Sequence, residues 1–242
     1  MLTSLVVGVL LMNVFAAVLV VVRAPVYGAR LYRPMLLNLV LSAAPLVVLG
    51  LAVVVLLPLV VVGTPRPVVW VVGAVLGLVW LLLLPNSGYL ITELNLNHRR
   101  EGERVPEWYD VLSVLVLAMS GVLTTVLNVF LVVLVALVVG GVDSAEPLTG
   151  TTARLLEGVL LLLVAFGIYL GRHVRLNSWD VKHPRHLVGK VVGHLRTPGA
   201  LGNAIGFTLI GATFFALMYL VMIGPVVRGL VDVEQLRNMT AS

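Results

Sequence analysis

The sequence predicts an all-α integral membrane protein, a bundle of six transmembrane helices with a short amphipathic interfacial helix between spans five and six. Hydrophobic residues make up 60% of the 242 residues and charged residues only 11%, whereas soluble domains carry about a quarter charged residues. The mean hydropathy is +1.10. The apolar runs are long and do not alternate with polar residues, which is typical of spanning helices and not of barrel strands.

The first two predicted spans cover residues 2–22 and 35–62. No Lys or Arg precedes Arg23, and the first apolar run is too long for the core of a signal peptide, so we expect a retained helix. Three residues interrupt the second span: Asn38, Pro45 and Pro58. Each proline removes a backbone donor and should kink the helix.

The third and fourth predicted spans cover residues 68–91 and 109–140. The third contains the run Pro85-Asn86-Ser87-Gly88, which predicts either a helix end followed by an interfacial segment or a helix broken near its mouth. A break at membrane depth leaves backbone groups that need partners in the protein or in a wet cavity. The fourth span is long enough to tilt in the bilayer or to project from it.

The fifth and sixth predicted spans cover residues 152–171 and 201–223, and a polar tail follows the last one. Between them, residues 185–196 predict an amphipathic helix that lies in the membrane interface with its basic side toward the headgroups. Its apolar side carries Leu187, Val188, Val191, Val192 and Leu195, and its polar side carries His186, Lys190 and His194. We treat residues 1–242 as one polytopic membrane domain.

Three pairs of glycines lie four residues apart in the predicted spans, a spacing that lets helices approach closely. The pairs are Gly73/Gly77, Gly167/Gly171 and Gly202/Gly206. In the fifth span, Arg154 and Glu157 are three residues apart, and we expect them to form a structural ion pair.

The distribution of basic residues predicts the orientation. With the N-terminus outside, the inner loops carry twelve Lys and Arg residues and the rest of the chain carries four. The positive-inside rule then places both termini outside and the polar segments 85–110 and 167–180 at the cytoplasmic face of a plasma (inner) membrane. The same asymmetry explains the net charge of +5 without a nucleic-acid partner.

The residue types exclude several kinds of chemistry. Cysteine is absent, so disulfides, thiolate metal sites and cysteine nucleophiles are ruled out. Ser178 lacks the Gly-x-Ser-x-Gly elbow of serine hydrolases, and we interpret the run 177–180 as a helix cap and an interface anchor rather than a ligand site. Four side chains could ligate Mg²⁺: Glu93, His98, Asp110 and Asp180. No tight metal-binding pattern accompanies them, so we predict neither a metal nor a cofactor.

Acids and arginines gather at the predicted cytoplasmic mouth. Glu93 follows an apolar stretch, where an acid is costly unless paired, so it is either a site residue or a charge that marks the membrane exit. Arg172 and Arg175 lie at the end of the fifth span and are either snorkelling anchors or partners of an acid. We hypothesise that one of these arginines pairs with Glu93, Asp110 or Asp180.

Three segments resemble recurring motifs of an uncharacterised bacterial family of multi-pass membrane proteins of unknown function (DUF1361). They are LPNSGYLITEL from Leu84, VPEWYD from Val105 and GIYLGRHVRLNSWD from Gly167, and the likeness extends from the third span to the sixth. The family more often has Asp where Glu93 stands, and its His follows that acid more closely than His98 does here. The resemblance therefore does not extend to His98, and it implies no established activity.

The motif positions together with Arg175 define the candidate polar site. Its residues are Asn86, Tyr89, Thr92, Glu93, Trp108, Tyr109, Asp110, Tyr169, Arg172, Arg175, Asn177, Ser178, Trp179 and Asp180. We favour transport of a small solute or ion, or an accessory subunit of a membrane system. The alternatives are a membrane-embedded enzyme acting on a lipid-linked or phosphate-bearing substrate and a structural scaffold with no site, so enzymatic activity is left open.

The expected partner is the lipid bilayer, with anionic headgroups at Arg185, Lys190 and Arg196. A membrane protein partner or a homo-oligomer is left open.

Overall fold

The computed structural model describes residues 1–95, 105–142, 144–174 and 184–241. Within these ranges the chain contains no strand, and six helices are long and apolar enough to cross a membrane. The helices are α1 (Leu2–Tyr27), α2 (Arg33–Val61), α3 (Arg66–Leu83), α4 (Pro85–Tyr89), α5 (Glu107–Val139), α6 (Thr151–His173), α7 (Pro184–Leu195) and α8 (Ala200–Ala241). Two 3₁₀ helices, Leu90–Asn95 and Glu146–Thr149, complete the order. The predicted all-α, multi-pass membrane fold is confirmed.

Hydrogen bonds between neighbouring helices define two ends of the bundle. At one end, which we call the motif end, the last turns of α1 and α6 lie beside the first turns of α5 and α8. At the other end, which we call the far end, the backbone N–H of Ala145 donates to the Glu234 carboxylate of α8 at 2.6 Å.

α5 is the central helix of the bundle. Half of its most apolar window is buried, against 17–39% for the other spans. Its buried polar and small residues allow close approach and interhelical hydrogen bonds: Ser113, Ser120, Gly121, Thr124, Thr125 and Asn128. Asn13 Nδ2 of α1 donates to Thr124 Oγ1 at 2.9 Å, and Trp80 Nε1 of α3 donates to Asn128 Oδ1 at 3.1 Å. These bonds hold α1 and α3 against α5.

The third span is broken inside the bundle. α3 ends at Leu83 and α4 begins at Pro85, because proline has no N–H to donate and its ring clashes with the preceding turn. Leu84, Ser87 and Leu90 are fully buried, and Ser87 Oγ donates to the carbonyl of Ser42 on α2 at 2.7 Å. The sequence left open an interfacial segment or a broken helix, and the burial agrees with the broken helix.

Glycines let α4 lie between α5 and α6. A Cβ at Gly121 of α5 would stand 2.6 Å from the Ser87 carbonyl oxygen, and one at Gly167 of α6 would stand 2.7 Å from Pro85 Cβ. The predicted pair Gly167/Gly171 therefore does mediate close packing, since Tyr89 lies 3.5 Å from a Cβ at Gly171. The predicted pair at positions 202 and 206 has no neighbouring atom within 4 Å of either added Cβ in the described chain.

Two helices are longer than the predicted spans. α1 continues past residue 22 and ends at Gly28, whose φ of 63° suits a helix end. α8 continues beyond the predicted end at residue 223 and replaces the expected polar tail, because Val226 and Val227 remain buried in the core. α7 occupies nearly the predicted range, and its interfacial position, like the single-domain organisation, stays a prediction.

Candidate functional site

Nine of the fourteen predicted site residues lie in the described part of the chain. The other five lie outside the described residues: Arg175, Asn177, Ser178, Trp179 and Asp180. His98 lies outside them too. The nine that are described come from the broken third span, the start of α5 and the end of α6. All three segments lie at the motif end, which the shared-face prediction requires.

A buried ion pair joins α1 to the first turn of α5. Arg23 Nε donates to Asp110 Oδ1 at 2.8 Å, and the two side chains are only 7% and 1% exposed. Buried charges need a partner of opposite sign because the loss of hydration is large. The predicted first span ended at residue 22, which left Arg23 in the following loop. Asp110 was considered as a partner of the arginines at the end of the fifth span. In the structure α1 runs through Arg23, so the helix itself carries the guanidinium to Asp110.

Aromatic side chains pack around Tyr109, the neighbour of Asp110 in the first turn of α5. The Tyr109 hydroxyl donates to the Leu19 carbonyl of α1 at 2.8 Å. The ring of Tyr109 meets the rings of Tyr27 and Trp108 edge to face, with centroids 5.0 Å and 5.6 Å away. Trp108 is itself 63% exposed. We call Arg23, Asp110 and Tyr109 the ion-pair group, and its contacts join α1 to α5.

Glu93 lies in a different setting from Asp110. It stands in the 3₁₀ helix that ends the broken third span, and it is half-buried. One carboxylate oxygen, Oε1, accepts a hydrogen bond from Asn38 Nδ2 of α2 at 2.7 Å. The amide of Asn38 bonds to one carboxylate oxygen but carries no charge of its own, so it is not a counter-charge for Glu93.

Arg172 reaches the same 3₁₀ helix from α6. Its Nη1 donates to the Thr92 carbonyl at 3.4 Å, and the side chain is exposed. The Thr92 hydroxyl donates to the Tyr89 carbonyl at 2.7 Å, which closes the turn that precedes Glu93. Arg172 thus contacts the backbone beside Glu93, whereas Arg175 and Asp180 lie outside the described residues, so the pairing of an arginine of this segment with an acid stays a prediction. We call Asn38, Thr92, Glu93 and Arg172 the Glu93 group.

A third cluster joins α6, α7 and α8. Tyr169 is 1% exposed, and its hydroxyl lies 3.0 Å from His194 Nε2 and 3.1 Å from the Ala200 carbonyl. The carbonyl only accepts, so the hydroxyl hydrogen points to it and the His194 ring donates to the tyrosine oxygen. His173 stacks on the same ring with centroids 4.3 Å apart. This cluster fixes the end of α7 to the bundle.

Asn86 and Tyr89 take part in the packing of the broken span. Both are half-buried in α4. The ring of Tyr89 lies over Gly171 of α6. Tyr89 thus seats α4 against α6, and α4 leads into the 3₁₀ helix that carries Glu93.

Some of the contacting residues were not assigned to the site from the sequence, among them Arg23, Asn38 and His194. Arg23 was detectable, because no glycine stops the helix before Gly28. Asn38 was noted only as a polar residue inside an apolar span, which is itself a sign of an interhelical contact. His194 could not have been placed, since its partner Tyr169 is 25 residues away.

The described residues contain no cluster of side chains that is suited to bind a metal ion. No group of three or more His, Asp and Glu residues suited to a metal ion occurs among them. Two members of the set considered from the sequence, His98 and Asp180, lie outside the described residues.

Glu157, which we expected to pair with Arg154, forms a hydrogen bond with a residue of another helix. Glu157 Oε1 accepts a hydrogen bond from the Tyr219 hydroxyl of α8 at 2.5 Å. This contact ties the first half of α6 to α8.

Comparison with known families gives a match to most of the chain. The sequence model of a family described as "Protein of unknown function (DUF1361)" matches residues 37–220. No curated protein and no solved structure matches the chain. The matched region begins beside Asn38 and contains α3 to α7 entirely, so it includes Glu93, Asp110 and Arg172.

Proposed function

The chain belongs to the DUF1361 family of proteins of unknown function, and we propose that it is a transport component, or an accessory subunit of a membrane transport system. It takes up a small ion at the motif end, and Glu93 is the group that binds it. The proton is the simplest ion that a single carboxylate can bind and release.

The observation that carries this proposal is the position of Glu93 in the 3₁₀ helix that ends a span interrupted at Pro85 inside the bundle. Broken helices at membrane depth recur at the ion and substrate sites of transporters, because irregular backbone is tolerated there only beside protein or a cavity. Glu93 is half-buried and bonded to Asn38 at 2.7 Å. It is therefore held in place while one face remains accessible.

The arginine of the Glu93 group supports a binding role. Arg172 is exposed and contacts the backbone one residue before Glu93. Its guanidinium therefore places a positive charge at the 3₁₀ helix that carries Glu93. Since the Arg172 contact with Thr92 is long, at 3.4 Å, it costs little to break.

A scaffold remains the second candidate, and the ion-pair group favours it. Arg23 and Asp110 form a buried ion pair at 2.8 Å, and Tyr109 bonds to the backbone of α1. Two of the nine described site residues, Tyr109 and Asp110, are thus accounted for by packing between helices. An enzyme would need two acids that share an ion, and the engagement of Asp110 by Arg23 makes this the weakest of the three functions.

The motif end faces the cytoplasm of the plasma (inner) membrane in this proposal, with both termini outside. The support is the charge distribution, since twelve of the sixteen Lys and Arg residues belong to the motif-end segments. α7 lies in the headgroup layer, with Arg185, Lys190 and the following Arg196 toward anionic lipids. Its attachment at His194 keeps it at this end of the bundle.

The test is proton flux in sealed phospholipid vesicles that contain the purified full-length chain and a trapped pH-sensitive dye. Vesicles with the unchanged chain should dissipate an imposed pH gradient faster than empty vesicles. Glu93→Gln keeps an oxygen for Asn38 but cannot be ionised, so it should return the rate to that of empty vesicles. The matched control is Glu107→Gln, which removes an exposed acid at the same end and should leave the rate unchanged.

Two results would overturn the proposal. One is a gradient that the unchanged chain holds as long as empty vesicles do. The other is equal flux through the unchanged chain and the Glu93→Gln variant.

A further inference from the structure

At the far end, a groove between α2, α3 and α5 opens from a polar mouth. The mouth is a cavity of about 450 Å³ at the loop between α2 and α3, and Thr64, Arg66 and Trp70 line it. The groove has a volume of about 350 Å³ and extends along α3 from Val69 to Trp80. The two cavities share Val69, Trp70 and Val139 in their walls, so they adjoin, and we call the two together the recess.

The groove is too small to hold a transmembrane helix. From Val69 to Trp80 the path along α3 is roughly 16 Å, and the groove holds about 350 Å³ over that length. A transmembrane helix with its side chains is about 10–12 Å across, so a helix segment of the same length fills roughly 1,300 Å³. The groove is too small for such a segment and suits a single hydrocarbon chain.

The lining of the groove is chemically suited to a hydrocarbon chain. Leu49, Leu56 and Val132 form its walls, and Trp80 bounds it at the deep end, where the indole N–H is already bonded to Asn128. An added Cβ at Gly77 would meet no atom within 4 Å. The space beside Gly77 is thus open groove rather than packed protein.

The mouth is suited to a charged headgroup. Among the described residues that line it, Arg66 is the one with a charged side chain, and the Thr64 hydroxyl lies beside it. Trp70 is 59% exposed, and tryptophan is the side chain that favours the headgroup level of a bilayer. A guanidinium binds a phosphate with two parallel hydrogen bonds.

From these features we infer that the recess is a binding site for one anionic phospholipid of the surrounding bilayer. Its phosphate lies at Arg66 and one acyl chain lies in the groove as far as Trp80. The site is at the opposite end of the bundle from Glu93, and it does not depend on the proposed transport function.

The experiment places the purified full-length chain in nanodiscs of phosphatidylcholine and phosphatidylglycerol in equal amounts. Lipid that remains on the chain is then counted by native mass spectrometry. The unchanged chain should retain one lipid, and that lipid should be phosphatidylglycerol. Gly77→Leu fills the groove without a clash and should lose the retained lipid. Gly50→Leu is the matched control, since Gly50 is exposed, meets no atom within 4 Å and does not line the groove.

Arg66→Gln tests recognition of the lipid headgroup separately from binding of the acyl chain. It should still retain one lipid, but with about fivefold less preference for phosphatidylglycerol over phosphatidylcholine, the factor expected for one basic residue near an anionic headgroup. Thermal unfolding of each variant in detergent establishes that it is folded.

Three outcomes would overturn the inference. They are retention of lipid by folded Gly77→Leu, an unchanged headgroup preference in Arg66→Gln, and a dimer of the unchanged chain that carries no lipid and that Gly77→Leu converts to a monomer. The last would assign the groove to a second copy of the chain.

Discussion

The ion pair between Arg23 and Asp110 can be tested by removing its partners one at a time. Asp110→Asn keeps the size of the side chain but leaves the guanidinium of Arg23, which is 7% exposed, without its counter-charge. Arg23→Met leaves the carboxylate of Asp110, which is 1% exposed, in the same position. Removing one member of a buried pair costs about 3–5 kcal/mol, because the remaining charge has lost both water and partner.

The double variant distinguishes a buried pair from two independent contacts. With both charges gone, the desolvation cost of each disappears too, so Arg23→Met with Asp110→Asn should cost at least about 2 kcal/mol less than the sum of the single changes. The assay is reversible unfolding of the purified chain in mixed micelles of increasing sodium dodecyl sulfate content. Arg30→Met removes an exposed arginine beyond the end of α1 and should change the unfolding free energy by less than about 0.5 kcal/mol.

Two results would refute the reasoning. If Asp110→Asn costs less than about 1 kcal/mol, the pair is not buried in the way described. If the two single effects add, Arg23 and Asp110 do not interact in the folded protein.

Two further predictions concern the packing of the broken span and of α5, and the same unfolding assay measures both. Gly167→Ala forces its Cβ against the Pro85 ring and should destabilise the fold by about 1–3 kcal/mol. Gly158→Ala, on the same helix but with no atom within 4 Å, should stabilise it by up to about 1 kcal/mol; equal effects at the two glycines would contradict the close approach of α4. Trp80→Phe leaves Asn128 Oδ1 without its indole donor and should cost about 0.6–1.7 kcal/mol, whereas no change would mean that the bond is absent in the membrane.

The spans were predictable because apolar runs of this length have few alternatives to a membrane helix. Their ends were not equally predictable. The predicted first span stopped at the first charge, yet α1 continues because Asp110 neutralises Arg23 from another helix. The sixth span was predicted to end at residue 223, yet α8 continues because Val226 and Val227 have core to pack against. In both cases tertiary contacts extend a helix that hydropathy alone ends.

The site was partly predictable for a similar reason. The polar residues and their position at one end of the bundle could be predicted from the sequence. Arg172 does contact the 3₁₀ helix that contains Glu93. The pairing was not readable, because the partners are far apart in sequence. Asn38 is 55 residues from Glu93, and Arg23 is 87 residues from Asp110. No local spacing rule selects such partners.

The central claim is that the polar ends of the third span, α5 and α6 assemble on one side of a membrane. The chain has no cysteine, so single cysteines can be placed at will and labelled with a membrane-impermeant maleimide in sealed vesicles of known orientation. Cysteines in place of Glu107 and Arg172, both exposed at the motif end, should be labelled from the same side. A cysteine in place of Val62, which is 83% exposed near the far end, should be labelled only from the other side. Labelling of the Glu107 and Arg172 positions from opposite sides would contradict the account.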